Sequence, residues 1–339
     1  MTTHLNETEE NVDVSGIKDL PVTLENPGFA ADEMTPCGKC GRSNPPNRSK
    51  CFYCGSDLSV AEKYTESIRP ALRKLEEWEK GFNVILFKRS ETLAELRQIA
   101  GEIGLELDQL KKITEMGASL PLARVESEQE AALIQNRVSK YGFECRIVSD
   151  EELDMARPPR RLRGLVFTNA GLIVTDFNSG ERTMIAADDL ALIVTGKLFE
   201  LRTHSFEKRK KGKSKVIDQS DSSSDEAVID IYDRKSNVGF RIYESGFDFS
   251  CLGKEKGLLA ADNFPKLLQK LREASPAAKV VDNYRSIRDA LEAVWELTLH
   301  KDFEGLRRSG FGKADFGKAV TVSNHAQFNR FSRMQRQLL

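Results

Sequence analysis

The chain has 339 residues, a length that predicts two or three domains because single hydrophobic cores stop growing near about 250 residues. Hydrophobic residues make up 40% of the sequence and charged residues 30%, which is ordinary for a soluble globular protein. The formal net charge of -1 excludes a protein that coats nucleic acid or an anionic membrane with its whole surface, so any such binding has to be local.

The amino terminus and the cysteines favour a cytoplasmic protein. The opening MTTHLNETEENVDV is acidic where a signal peptide is basic and then apolar, and no run of about 18 apolar residues occurs. In a reducing compartment the six cysteines are expected to be thiols or metal ligands rather than disulfides. Residues 1–36 are acidic and lack an apolar period, so they predict a disordered tail.

The stretch CGKCGRSNPPNRSKCFYCG, residues 37–55, has almost nothing with which to build a core. It contains two CxxC pairs separated by ten residues, and such pairs bring four thiolates to the corners of a tetrahedron, as in closed structural zinc sites. A glycine after each pair, Gly41 or Gly55, permits the tight turn that aims backbone amides at the sulfurs. A pair of redox motifs and an iron–sulfur cluster are the alternatives. We therefore predict one structural Zn2+ in a ribbon over residues 37–58, bound by Cys37, Cys40, Cys51 and Cys54.

This segment resembles two families that share its cysteine spacing. One is the zinc ribbon common at the front of bacterial multidomain proteins, which GRSNPP and CFYCGSDL match. The other is the Ran-binding-protein type finger, which shares an asparagine, here Asn44, after its second cysteine. That family carries a tryptophan two residues before its first cysteine, used for structure or for stacking on RNA, and this chain has Thr35 there. The comparison favours the plain ribbon.

The ribbon also carries cations beside aromatic rings, a combination that can grip single-stranded nucleic acid by charge and stacking. The alternative is a solvated basic face with the two rings packed on the cysteine turns. The possible nucleic-acid contacts are Arg42, Arg48, Lys50, Phe52 and Tyr53.

Helical spacing over residues 59–81 predicts a connecting helix, and residues 82–150 predict a small α/β sandwich. The sandwich begins with the strand FNVILF, followed by two helices led by Leu93 and Leu107. The strand SLPLARV, the helix SEQEAALIQNRVSKYG and the strand FECRIV complete it. Gly142 is expected to end the third helix in a left-handed conformation.

That order of elements resembles the carboxy-terminal domain of the ribosomal stalk protein and its structural relative, the ClpS adaptor. The resemblance covers residues 82–148 and is carried by FNVIL, GEIGLELDQLKK and EAALIQNRVSKYGFECRI. In the stalk protein, basic residues on the first two helices dock translational GTPases. The resemblance places two of these at Arg97 and Lys111, while two others fall on Ala100 and Asp108.

After a linker over residues 151–161, residues 162–275 contain short β-rich runs separated by turn signals and followed by one helix. This order predicts an antiparallel β-barrel capped by a helix, similar to pleckstrin-homology domains. The polar insertion 205–226 is expected to be disordered because its composition cannot bury itself. Residues 281–300 predict a helix that buries Trp295, and residues 301–339 predict a flexible basic tail that is loosely ordered or folds on a partner.

No catalytic constellation emerges from the pattern. The four histidines are scattered, and Cys145 and Cys251 lie in predicted strands as inert core thiols. We therefore expect a multidomain α+β, non-catalytic cytoplasmic adaptor that binds protein partners. A nucleic-acid or ribosome-associated factor using the ribbon and the basic tail is the second hypothesis. A protein recruited to a membrane surface through the barrel is the third.

Overall fold

The computed structural model describes residues 29–59, 70, 72–76, 78–88, 93–210, 213–235, 239–310 and 313–339. The chain divides into two compact units, Met1–Ile68 and Arg69–Leu339. Most of the predicted acidic tail and of the predicted connecting helix lies outside the described residues.

The first unit contains the cysteine ribbon, residues 37–58. Strand β1 (Thr35–Pro36) pairs antiparallel with β2 (Ser43–Asn44), and Lys50 forms an isolated bridge with Asp57. The only apolar cluster among the described residues of this unit consists of Cys37, Cys51 and Leu58.

The second unit begins with an α/β sandwich whose three-stranded antiparallel sheet has the order β4–β3–β5. The order of its strands and helices confirms the sequence prediction for residues 82–150. Ser127 caps the third helix by accepting from the Glu130 backbone N–H, and Gly142 follows that helix with φ +76°. The elements are β3 (Phe82–Lys88), α1 (Leu93–Ile103), α2 (Leu107–Glu115), β4 (Leu120–Val125), α3 (Glu128–Ser139) and β5 (Glu144–Ser149).

A nine-stranded sheet forms the rest of the second unit, in the order β13–β14–β9–β10–β11–β6–β7–β8, with β12 also pairing with β9. Its strands are β6 (Arg160–Thr168), β7 (Gly171–Asp176), β8 (Arg182–Ala186), β9 (Leu190–Lys210), β10 (Lys213–Asp233), β11 (Phe240–Tyr243), β12 (Lys279–Val281), β13 (Thr298–Gly310) and β14 (Lys313–Ser323). Its helices are α4 (Ala260–Ala274), α5 (Tyr284–Leu291) and α6 (His325–Gln337).

The prediction of an antiparallel barrel is only partly right. The sheet is a curled half-barrel, and the pairs β11–β6 and β12–β9 are parallel. The run FDFSCLG, predicted as a strand, is a 3-10 helix over Phe249–Glu255 because the Asp248 carboxylate accepts from the Ser250 backbone N–H and starts a helical turn.

The insertion 205–226 is not disordered where the structure describes its backbone. It lies on the long strands β9 and β10, which pair with each other over their length. Strand β14 pairs with β9 over residues 200–207, so this part of β9 has hydrogen-bonded neighbours on both edges. These backbone pairs order a polar segment that has few apolar side chains to bury.

The predicted flexible tail, residues 301–339, is also folded over its described ranges, 301–310 and 313–339. The described part of this segment forms most of β13 and all of β14. In α6, Phe328, Phe331 and Met334 recur at three-residue steps and are buried in the main core.

Trp295 is 1% exposed, which confirms its predicted burial, but the helix that precedes it ends at Leu291. The indole N–H donates to Asn83 Oδ1 over 2.8 Å, so this ring connects the turn after α5 to the sandwich sheet. The same apolar cluster contains Val84 from β3 and Leu192 from β9. The sandwich and the half-barrel therefore share one core.

Of the predicted connecting helix, residues 59–81, the structure describes residues 59, 70, 72–76 and 78–81, and none of these is helical. The Arg73 guanidinium binds both Glu79 and Glu126, and the Glu76 backbone N–H donates to Glu79. These contacts hold a non-helical path, and Trp78 is exposed on it.

Candidate functional site

The four cysteines of the ribbon converge on one point. Their sulfur atoms all lie within 4.8 Å of one another. The Cys37–Cys54 and Cys40–Cys51 sulfur pairs are each 3.6 Å apart. A tetrahedral site with Zn–S bonds of about 2.3 Å requires sulfurs about 3.8 Å apart. The arrangement fits a single tetrahedral metal ion.

The two cysteine turns repeat the same backbone contacts. The Lys39 N–H points at Cys37 Sγ and the Tyr53 N–H at Cys51 Sγ, each over 3.4 Å. Each turn closes with a glycine N–H that donates to the carbonyl of its first cysteine, and these glycines, Gly41 and Gly55, have φ +70° and +69°. The Lys39 and Tyr53 amides stabilise negative charge on the sulfur atoms at which they point. The backbone is therefore arranged for thiolates rather than for neutral thiols.

Asn44 and Ser56 support the cluster, and the sequence reasoning assigned neither of them this role. Buried Asn44 donates to the Arg42 carbonyl and accepts from the Phe52 N–H, both over 2.8 Å, so it ties the two cysteine turns together. The Ser56 hydroxyl lies 3.0 Å from Cys37 Sγ and 3.1 Å from Cys54 Sγ. The available signals were Asn44, three residues after Gly41, and Ser56, directly after Gly55.

These contacts and burial lower the pKa of two cysteine thiols and raise the pKa of a third. The Ser56 hydroxyl and nearby backbone amides lower the pKa of Cys37 to about 6. At Cys51 burial acts to raise the pKa, but backbone amides outweigh it and the net shift is downward. The Arg42 amide acts to lower the pKa of Cys40, but burial and the neighbouring thiols raise it to about 11. A divalent cation among the sulfurs would favour the thiolate form of every one of them.

Beside the cysteines lies an exposed patch of two rings and two guanidinium groups, the aromatic–arginine patch. Phe52 is 68% and Tyr53 53% exposed, and their rings meet edge to face with centroids 5.6 Å apart. Arg42 lies over the Tyr53 ring at 4.7 Å and Arg48 over the Phe52 ring at 5.2 Å. Lys50 instead forms an ion pair with Asp57 at 3.1 Å.

The remaining candidate residues are placed less favourably for function. Arg97 is exposed on α1, whereas Lys111 on α2 lies 3.8 Å from the Asp108 carboxylate. Cys145 lies in β5, and burial raises its pKa to about 12. Cys251 lies in the 3-10 helix rather than a strand, and burial raises its pKa to about 11. Both groups are thiols at neutral pH and weak nucleophiles.

A second exposed surface, which we call the sheet face, lies on β13 and was missed because the sequence predicted a helix through residue 300 and a loose tail after it. Leu299, Phe303 and Leu306 are 56%, 65% and 61% exposed. In the register of the two strands they pair with Val322, Lys318 and Phe316 of β14, respectively. A bulge after Phe303 keeps Leu306 on the same side of β13 as Leu299 and Phe303. Across β14, Val322 faces Leu201 of β9, which is also exposed.

The opposite side of the same strands is polar and internally paired. Glu304 binds Arg202 and His204 of β9, at 3.1 and 2.9 Å, and the hydrogen bond from His204 is the main reason that its pKa is lowered. Arg307 binds Asp218 of β10 at 3.0 Å. The side that carries Glu304 is therefore lined by ion pairs, whereas the sheet face combines exposed apolar side chains with an ion pair between Lys318 and Glu207 at 2.8 Å.

No family model, curated protein or solved structure matches the chain. Among the described residues, no helix combines the length and the apolar character needed to cross a bilayer. The cysteine cluster, the aromatic–arginine patch and the sheet face are the features of the described residues that can carry a function.

Proposed function

We propose that the protein is a non-catalytic cytoplasmic adaptor with one structural zinc ion and a protein-docking surface on the sheet face. The observation that carries this proposal is the row of large apolar side chains on β13, each more than half exposed. Single exposed apolar residues are common, whereas contiguous ones mark interaction surfaces.

Zinc is the metal that the donor set supports best. Cys37, Cys40, Cys51 and Cys54 would hold it, and four thiolates in a tetrahedron leave no open position for a substrate. The ribbon has an apolar cluster of only two cysteines and one leucine, so the free energy of metal binding would supply its folding free energy. The ion would order the ribbon rather than take part in a reaction.

Protein docking follows from the chemistry of the sheet face. Covering the side chains of Leu299, Phe303 and Leu306 would remove apolar surface from water, at about 25 cal/mol for each Å². Phe316 of β14 lies 6.4 Å from Phe303 between ring centroids, so the apolar surface continues onto the next strand. A protein surface offers such complementary apolar area, whereas a nucleic-acid backbone does not.

The test is affinity purification of the full chain from its native host, with lysates treated and untreated with RNase. Phe303→Ser/Leu306→Ser is expected to lose the co-purifying protein in both lysates. Leu258→Ser/Leu259→Ser is the matched control because it changes two exposed apolar residues on another part of the second unit. Retention of every partner by the Phe303→Ser/Leu306→Ser variant would contradict the proposal.

Single-stranded nucleic-acid binding by the ribbon is the second candidate function. The exposure of Phe52 and Tyr53 favours it, because their rings are not packed on the cysteine turns and remain available for stacking. Each ring already has an arginine over it, which adds positive charge at the same place. Such binding would weaken steeply with salt, unlike docking on an apolar face.

A further inference from the structure

We propose that the sheet face binds a second copy of this chain, with the two copies stacked face to face about a two-fold axis parallel to the strands. The inference rests on the proposed function, because it names the partner that docks on the sheet face. Two features of the sheet lead to it: a cation and an anion at opposite margins of the face, and exposed apolar side chains around them.

The sheet face continues from β13 across β14 and β9 to β10. Directly paired residues of antiparallel strands point to the same side of a sheet, so each set of paired residues forms a row across the four strands. The described residues form four such rows on the sheet face. One row, from β13 to β10, consists of Lys301, Val320, Thr203 and Asp221. The face is therefore four strands wide.

The charges of the face identify the occupant. The four rows contain four charged side chains, and two of them, Lys318 and Glu207, bind each other at 2.8 Å. Within the described part of the chain, the other two, Lys301 and Asp221, are exposed and form no ion pair. They are three strand spacings apart, about 14 Å, which is too far for contact within one chain. The face therefore carries a cation at its β13 margin and an anion at its β10 margin.

A two-fold axis parallel to the strands, between β14 and β9, matches these two charges. Rotation about this axis keeps each row at its height and reverses the order of the strands, so β13 of one copy lies over β10 of the other. Lys301 then faces Asp221 of the second copy, and the symmetry repeats this contact on the other side of the axis. Every charge in the four rows is paired in this arrangement.

The same arrangement brings apolar side chains of the two copies together. Leu201 and Val216 are 40% and 49% exposed, and Phe303 and Leu306 more than half. Facing pairs are Leu306 with Val216, Val322 with Leu201, and Phe303 with Gln219. Four strands about 4.8 Å apart and four rows about 6.8 Å apart cover about 500 Å² on each copy. About 1,000 Å² over both copies is at the lower end of specific interfaces, so the dimer should dissociate on dilution.

A two-fold axis perpendicular to the strands is the alternative for two stacked copies. It would place β10 over β10 of the second copy with the rows in reverse order. Asp221 would then face Gln219 and Lys301 would face Phe303. This arrangement buries a carboxylate without a cation, which is costly, so the charges favour the parallel axis.

Sedimentation equilibrium of the zinc-loaded full chain over a dilution series is expected to show a reversible dimer. Lys301→Glu and Asp221→Lys should each weaken dimerisation by about tenfold or more, because each creates two like-charge contacts in the interface. Lys254→Glu and Glu115→Lys, at exposed charges outside the four rows, are the matched controls and should leave the dimer unchanged.

An equimolar mixture of the Lys301→Glu chain and the Asp221→Lys chain is the most informative sample. In a mixed dimer the introduced glutamate meets the introduced lysine, and Lys301 of one chain meets Asp221 of the other. The mixture is therefore expected to form a heterodimer within about threefold of the original affinity, although neither chain dimerises well alone. Such rescue would also show that both chains are folded.

Three results would overturn the inference. The first is a chain that remains monomeric at every concentration. The second is a dimer that Lys301→Glu weakens but Asp221→Lys does not, as the perpendicular axis requires. The third is a mixture of the two variants that forms no more dimer than either variant alone.

Phe303→Ser/Leu306→Ser separates this inference from the proposed function. If the chain is a monomer and this variant loses a different native protein in the affinity purification, the inference is wrong and the adaptor proposal stands. If the chain is a monomer and the variant retains every native partner, both are wrong. If the charge dependence is as expected and the variant loses the untagged second copy, both are supported.

Discussion

The ribbon and the second unit reach an ordered fold by different physical means. In the ribbon the described apolar cluster is Cys37, Cys51 and Leu58, and most other contacts are backbone hydrogen bonds around the sulfurs. In the second unit, two large clusters bury side chains such as Trp295 and Phe240. Burial therefore explains the second unit, whereas the proposed metal ion would supply the stabilisation that the ribbon lacks.

The difference means that the two units should respond to different perturbations. Removal of a ligand sulfur should affect the ribbon, and removal of a buried ring should affect the second unit. Substitutions at exposed positions should affect binding without affecting either fold.

Cys51→Ser is expected to abolish stoichiometric zinc binding, because all four thiolates are needed to complete the tetrahedron. Elemental analysis should find one zinc per chain before the change and none after it, while the thermal transition of the second unit stays the same. Cys145→Ser is the control, since this thiol lies in β5. Retention of one zinc by the Cys51→Ser chain would contradict the proposed ligand set.

Trp295→Ala is expected to destabilise the second unit by about 3–5 kcal/mol, the range for truncating a buried aromatic ring. The change also leaves Asn83 Oδ1 without its indole donor. Urea denaturation followed by circular dichroism measures the effect, and zinc content should not change. Trp78→Ala, at an exposed ring, is the control, and equal stability of the two variants would refute the assignment of Trp295 to the core.

Asn44→Ala is expected to lower zinc affinity by about 10–100-fold, because the side chain holds the two cysteine turns together without touching the metal. Competition with a chromogenic chelator measures the affinity. Asn47→Ala in the same loop should behave like the unsubstituted chain. If Asn44→Ala binds zinc with undiminished affinity, the ribbon does not depend on this tie.

Phe303→Ser/Leu306→Ser is expected to change the unfolding free energy by no more than about 0.5 kcal/mol for each site, because both side chains are already exposed. Urea denaturation again provides the measurement. This result would separate loss of partner binding from loss of fold. A loss of several kcal/mol would show that the sheet face belongs to the core and is not a docking surface.

No measurable binding of single-stranded oligonucleotides is expected at about 150 mM salt, because the net charge is near zero and Lys50 is already paired with Asp57. Fluorescence anisotropy over a salt series measures this. Micromolar binding that is lost when Arg42, Arg48 and Lys50 are replaced together would promote the second candidate function. In that case each lost phosphate contact should reduce the slope of the logarithm of the binding constant against the logarithm of the salt concentration by about 0.7.

Local patterns in the sequence predicted the sandwich and the cysteine cluster correctly. Helices α1 to α3 have apolar periods and clear end signals such as Ser127 and Gly142. Each CxxC turn brings two sulfurs together through a spacing of only four residues. These features are decided within a few residues of chain. They required no knowledge of distant contacts.

Long-range pairing explains what the sequence did not reveal. The polar insertion forms parts of β9 and β10, which pair with each other, and β14, more than a hundred residues later, adds a second partner along residues 200–207 of β9. The tail is ordered because Phe328 and Phe331 complete a core built from distant elements. The sheet face was missed for the same reason, since Leu299, Phe303 and Leu306 share a side only after β13 has been recognised as a strand.

Hydrogen exchange on the intact chain, with and without a strong zinc chelator, tests the central claim most directly because it follows both units in one molecule. We predict that chelation removes amide protection from residues 37–58 and leaves protection unchanged in β3, β9 and α6. Unchanged protection of the ribbon after the metal has been removed would contradict the claim that a metal orders it. Loss of protection in β3, β9 or α6 would contradict the claim that burial alone orders the second unit.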